Sequence, residues 1–106
     1  MKPNLPIDVV KMRQSMDRAT RLLRVLSNPD RLLLMCHLSS KESCVSDLEL
    51  ASAIVQPTLS QQLAVLREEG LVSTRREGKQ IFYTLASDDA LVLMQTLYSR
   101  FCEQIK

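Results

Sequence analysis

The chain holds only two glycines and a single histidine in 106 residues. Two glycines leave little room for a Gly-rich phosphate loop, and neither a nucleophile elbow nor a paired carboxylate–histidine constellation occurs. An enzyme is therefore not expected, and no cofactor is called for. No long apolar run is present, and Met1–Pro6 has the character of neither a signal peptide nor a transit peptide. A cytoplasmic protein without membrane contact is expected. Strong charge of one sign is also missing. Fourteen basic and 12 acidic side chains leave a net charge of +2, too little by itself to announce a nucleic-acid binder. The three cysteines, Cys36, Cys44 and Cys102, are an odd number with no sign of secretion, which argues against a structural disulfide framework. Buried thiols, metal ligands and a redox pair all stay open at this level.

What is present fits one globular domain over residues 1–106, with 45% hydrophobic and 25% charged side chains. So small a domain buries a limited core, and burying more apolar surface against a second copy is a natural extension. Residues 8–26 predict a helix with Met12, Met16, Ala19, Leu23 and Leu26 along one face. Asn28-Pro29 predicts the start of a second helix, a capping residue followed by the proline-tolerant first position. That helix carries Leu32, Leu33, Met35, Cys36 and Leu38, and fades in the polar stretch 39–43.

Ser46-Asp-Leu-Glu49 has the spacing of a capping box, so a third helix is expected to start there with Leu48, Ala51 and Ile54 inward. After a break at Val55-Gln56, Pro57 is expected to open a fourth helix with Leu59, Leu63 and Leu66 buried, ended by Gly70 in a left-handed conformation. Two short helices joined by a tight turn over residues 46–69 make a helix-turn-helix. Residues 71–76 and 80–85 follow with strand character, joined by Glu77-Gly78-Lys79. A hairpin placed there, over 71–85, is a wing. A last helix over 88–105 follows Ser87-Asp88-Asp89 and is apolar over a wide arc from Ala90 to Ile105. That breadth suits a dimer interface shared with the first helix. The fold class is thus mainly α with a small β-hairpin wing, a winged helix-turn-helix in the order α-α-α-α-β-β-α, pairing as a homodimer through its terminal helices.

With Leu59 and Leu63 inward, Thr58, Ser60, Gln61 and Gln62 point outward or sideways near the fourth helix's start. Short polar side chains there can reach base edges and phosphates in a major groove of double-stranded DNA, and glutamine can pair bidentately with adenine. A helix N-terminus also favours a phosphate. Alone, that face reads equally well as an ordinary soluble helix surface. The wing tilts the balance, because Arg75, Arg76 and Lys79 suit a phosphate backbone or a narrow minor groove. The rival is a winged helix used only for protein–protein contact.

The stretch Gln56-Pro-Thr-Leu-Ser-Gln-Gln-Leu-Ala-Val-Leu-Arg-Glu-Glu-Gly-Leu71, with Thr74-Arg-Arg and Lys79-Gln-Ile-Phe-Tyr83, resembles the ArsR/SmtB family of winged-helix repressors. It is most similar to the family's non-metal, thiol-sensing branch of BigR, SqrR and HlyU regulators, and the resemblance spans roughly residues 19–102. It implies a homodimeric repressor that reads operator DNA with Gln56, Thr58, Ser60, Gln61, Gln62, Arg75, Arg76 and Lys79. It also implies a redox-sensing pair, Cys36 and Cys102, whose linkage by a disulfide or polysulfide releases the DNA. The inducers implied are reactive sulfur species, hydrogen sulfide chemistry included, or oxidants. Part of this branch instead activates genes by displacing another repressor. The metal-sensing branch carries a second cysteine where this chain has Ser46, and one thiolate cannot complete a soft-metal site, so no metal is expected. Cys44 is read as structural or incidental, with competition in disulfide exchange as the lesser alternative, and His37 as an exposed or partly buried side chain diverging from Cys36.

Overall fold

The structure, a computed structural model, describes residues 8–103. Helix α1 spans Val9–Leu26, and the Asp8 carboxylate accepts from the amides of Val10 and Lys11 at its start. Helix α2 spans Pro29–Leu38, with the Asn28 side chain accepting from the Arg31 amide at 3.1 Å. The α2 start follows its sequence signal, whereas the Asp8 cap was not singled out in the sequence. On α2 the inward residues are Leu34, Met35 and Leu38, whereas Leu33 is exposed. The inward stripe therefore runs one residue later than expected from Leu32-Leu33.

The third helix departs further from its sequence signals. Helix α3 covers Val45–Ser52 and has Cys44 in the capping position with no side-chain cap. The capping box at Ser46 does not form. A short strand β1, Ser43–Cys44, leads straight into the helix and pairs with the wing, and this fixes the chain one residue ahead of Ser46. Ala51 faces outward, because the inward line runs through Val45, Leu48 and Ser52. Ala53 closes α3 in the left-handed region (φ 61°), and Ile54 turns back into the core.

Helix α4, Thr58–Glu68, buries Leu59, Leu63 and Leu66 as expected, although Pro57 sits just outside it. Its end is a full Schellman motif. The Gly70 amide donates to the Arg67 carbonyl and the Leu71 amide to the Leu66 carbonyl, both at 3.0 Å. Gly70 adopts φ 75°, which a side chain would disfavour. Strands β2 (Val72–Glu77) and β3 (Gln80–Leu85) form the wing in register Val72↔Leu85 through Glu77↔Gln80. The turn is two residues, Gly78-Lys79, rather than three. Only Gly78 has positive φ (64°), as the first position of a II′-type turn requires. The sheet order is β1-β3-β2, a third strand that the polar stretch before Cys44 did not announce.

Helix α5, Asp88–Leu97, is capped by the Ser87 hydroxyl accepting from the Ala90 amide, and a π-helical extension follows over Tyr98–Cys102. The expected reach to Ile105, like Met1–Pro6, lies outside the described residues. One core joins all five helices and the base of the wing, centred on Leu34, Met35, Leu48, Leu59, Leu63, Leu66 and Met94. No helix among the described residues is long and apolar enough to cross a membrane.

Candidate nucleic-acid interface and thiol pair

Burying Leu59, Leu63 and Leu66 turns Ser60 and Gln61 outward on the first turn of α4, where both are exposed. Their neighbours are less free. The Gln56 Oε1 accepts from the Ser60 amide at 3.0 Å and from its hydroxyl at 2.7 Å, which makes Gln56 a cap for α4. Gln62 is half-buried, and its Oε1 accepts from Arg31 Nη1 at 3.0 Å. Arg31 also donates from Nε to the Val25 carbonyl at 2.7 Å, so it ties the end of α1 to α4. Thr58 is half-buried.

The two wing arginines, adjacent in sequence, lie on opposite faces of the hairpin. Side chains alternate along a strand, so Arg76 shares a face with Thr74, Ile81 and Tyr83. Tyr83 lines a cleft against Ser60, Leu63 and Arg67 of α4, so this is the face toward that helix. Arg76 is exposed and its Nε donates to the Gly78 carbonyl at 3.1 Å. Lys79 at the tip is exposed. Arg75 stands on the other face. It donates from Nε and Nη2 to the two carboxylate oxygens of Glu42 at 2.8 and 2.9 Å, and Nη1 lies 3.5 Å from Glu77. Its guanidinium carbon sits 4.6 Å above the centre of the Phe82 ring. The hydrogen bonds from Arg75 hold the Glu42 carboxyl below its ordinary pKa, and those to Glu42 raise that of Arg75.

All three cysteines are free thiols. Cys36 is half-buried on α2, with its Sγ 3.7 Å from the sulfur of the buried Met94. Burial pushes its thiol pKa up, and the charge of Cys102 adds to the rise. Cys102 is exposed on the π-helical extension. Cys44 is buried, 3.2 Å from the Ser46 hydroxyl. His37 turns to Ser43, with Nε2 3.0 Å from its hydroxyl. Glu42, Phe82, Arg31 and Met94 were not singled out in the sequence. Their contacts here span 6 to 58 residues of chain, and only the alternation that separates Arg75 from Arg76 was legible beforehand.

Residues 28–74 match the arsR family of bacterial regulatory proteins. The biofilm growth-associated repressor of Agrobacterium fabrum is 57% identical over 81 residues, covering 76% of this chain and 69% of that protein. The chain belongs to the arsR family. The crystal structure of the transcriptional repressor BigR from Xylella fastidiosa superposes with a TM-score of 0.86 at 47% identity, covering 92% of this chain and all of that one. The transcriptional activator HlyU of Vibrio cholerae is 35% identical over 98 residues, covering 92% of this chain and 91% of that protein. The architecture is the winged helix-turn-helix of this arsR-family regulator, and it is a regulatory protein rather than an enzyme.

Proposed function

We propose that this arsR-family chain is a homodimeric, DNA-binding repressor that releases operator DNA when Cys36 and Cys102 become crosslinked. The observation that carries the DNA reading is the exposed polar start of α4 beside the Arg76 face of the wing. In this reading Ser60 and Gln61 meet base edges, and the α4 N-terminus, Arg76 and Lys79 meet phosphate. Gln56, Gln62 and Thr58 shape and hold the helix that reads. A cytoplasmic site of action follows from the partner.

Dimerisation is supported by large apolar side chains left exposed on the terminal helices: Met12, Met16 and Leu23 on α1, and Val92, Tyr98 and Phe101 at the C-terminal end. Covering each removes apolar surface from water, worth about 1.5–3 kcal/mol per fully buried large side chain. Two copies also place two α4 helices on one duplex.

The thiol chemistry balances with either inducer class. Peroxide oxidises one thiol to a sulfenic acid, and the partner thiolate attacks that sulfur, expelling water and leaving a disulfide. A sulfane donor gives a persulfide, and attack by the partner thiolate on its inner sulfur expels hydrosulfide and leaves a disulfide. Where both thiols carry an added sulfur, attack of one outer sulfur on the other's inner sulfur expels hydrosulfide and leaves a trisulfide. Cys102 is the exposed member and meets the inducer first; Cys36 closes the bridge. Joining α2 to the end of α5 biases the spacing of the two α4 helices away from successive major grooves.

Mobility shifts of reduced, peroxide-treated and persulfide-treated protein on a duplex selected by the protein from random sequence test this, with intact mass run in parallel. Treated protein should lose affinity, and mass should report two hydrogens lost for a disulfide, with one sulfur atom gained as well where the bridge is a trisulfide. Equal binding of reduced and treated protein would sink the switch. The same holds if Cys36→Ser loses DNA on treatment as the unaltered chain does. The Vibrio activator supports a second reading of the output, in which the same contacts displace another regulator. Target transcripts rise in a deletion strain for a repressor and fall for an activator.

A further inference from the structure

We propose that Glu42 and Arg75 form a strap across the three-stranded sheet that sets the angle of the wing, so that Arg75 positions the wing and does not contact phosphate. The inference rests on the DNA-binding reading above. Arg75 on β2, Phe82 on β3 and Cys44 on β1 are register partners in one row across the sheet. Glu42 lies just ahead of β1, and its carboxylate meets Arg75 on that face. The guanidinium crosses the row, covering Phe82 and ending in a two-pronged hydrogen bond on Glu42. Charge-assisted, bidentate pairs of this kind are the strong and geometrically specific class.

The strap has something to hold. Strand β1 is only two residues long, and beyond Val72 strand β2 buries no side chain. The sheet's remaining link to the body near its tip is therefore slight, and Arg76 and Lys79 ride on that tip. For Arg75 to reach phosphate it must give up both oxygens of Glu42 and the Phe82 ring, and it must act from the face opposite the one toward α4. Arg76 needs neither change.

The two roles give Glu42→Gln opposite signs. If Arg75 binds phosphate, removing its carboxylate partner frees the arginine and deletes a negative charge near DNA, so binding tightens. If Arg75 is a strap, the wing loosens and binding weakens although the protein has become more positive. The measurement is duplex affinity across a salt series for the full chain, E42Q, R75K and R75M, using duplexes selected by the unaltered protein. The expected result is that E42Q binds roughly three- to tenfold more weakly, an effect of the size that one typical intramolecular hydrogen bond contributes net, with an unchanged salt slope. R75K, which keeps the charge and loses the fork, should fall nearly as far as R75M. Tighter binding by E42Q overturns the proposal. So does near-full binding by R75K, or a slope in R75M that drops by about 0.9 per lost contact.

Amide hydrogen exchange on the free proteins adds a readout that does not need DNA. E42Q should speed exchange in residues 72–85 while the amides of α2 and α4 keep their protection, and uniform or absent acceleration overturns the strap. If the unaltered chain selects no duplex, the DNA reading fails while the exchange result still decides the strap.

Discussion

The α4–hairpin end and the terminal-helix end leave different chemistry at the surface. At the hairpin end the exposed groups are Ser60, Gln61, Arg76 and Lys79, polar side chains content in water and able to exchange it for phosphate and base edges. At the other end they are Met12, Leu23, Val92, Tyr98 and Phe101, which lower the free energy only by leaving water. One end suits a wet, charged partner, the other a dry one, which the proposed function reads as a second copy. Between them lies α2, carrying Cys36 toward the terminal helices and Arg31 toward Gln62 of α4.

The comparison breaks most visibly if the apolar end is made polar. Leu23→Asp or Phe101→Asp should give a monomer by sedimentation. Operator affinity should fall on the order of 100-fold, because one linked pair of reading heads becomes two separate binding events. A dimer that persists in both variants would show that the terminal helices are not the interface.

A second effect concerns the thiol pair. Burial raises the Cys36 pKa above its ordinary value of 9.0, with Cys102 adding to it, so the attacking thiolate is scarce at neutral pH and grows as pH rises. Crosslinking after a peroxide pulse, followed by intact mass, should accelerate by about tenfold per pH unit below that pKa. A flat profile would remove Cys36 as the closing thiol.

At the reading end, Arg76→Met should weaken binding several-fold on every duplex and lower the salt slope by about 0.9 per contact. Gln61→Ala should change which duplexes are preferred, at about 1–3 kcal/mol for a lost base pairing. The same slope in both variants would erase the distinction between the two roles. The smallest effect is expected at Ser87→Ala, which removes the α5 cap and costs about 1 kcal/mol of stability by denaturant titration. DNA affinity should stay unchanged there.

Much of this was readable before any coordinates. Asn28, Ser87 and Gly70 mark helix ends through contacts within four residues, and Leu59, Leu63 and Leu66 declare the buried face of α4 by their spacing. The capping box at Ser46 misled because a strand pairing of Ser43 with Tyr83 and Cys44 with Phe82, far along the chain, set the start of α3 instead. Arg75 and Arg76 looked alike as charges, and Gln61 and Gln62 as amides. Their differences lie in Glu42 and Arg31, partners 33 and 31 residues away.

By itself the sequence determined the helices, the hairpin and the polar face of α4, since caps, turns and hydrophobic period act over a few residues. Only the tertiary structure decided which polar groups are spent inside the molecule. It turned Arg75 to Glu42 and Gln62 to Arg31, left Arg76 and Gln61 exposed, and set Cys36 against the buried Met94. Those outcomes depend on chain segments that meet only when the core closes.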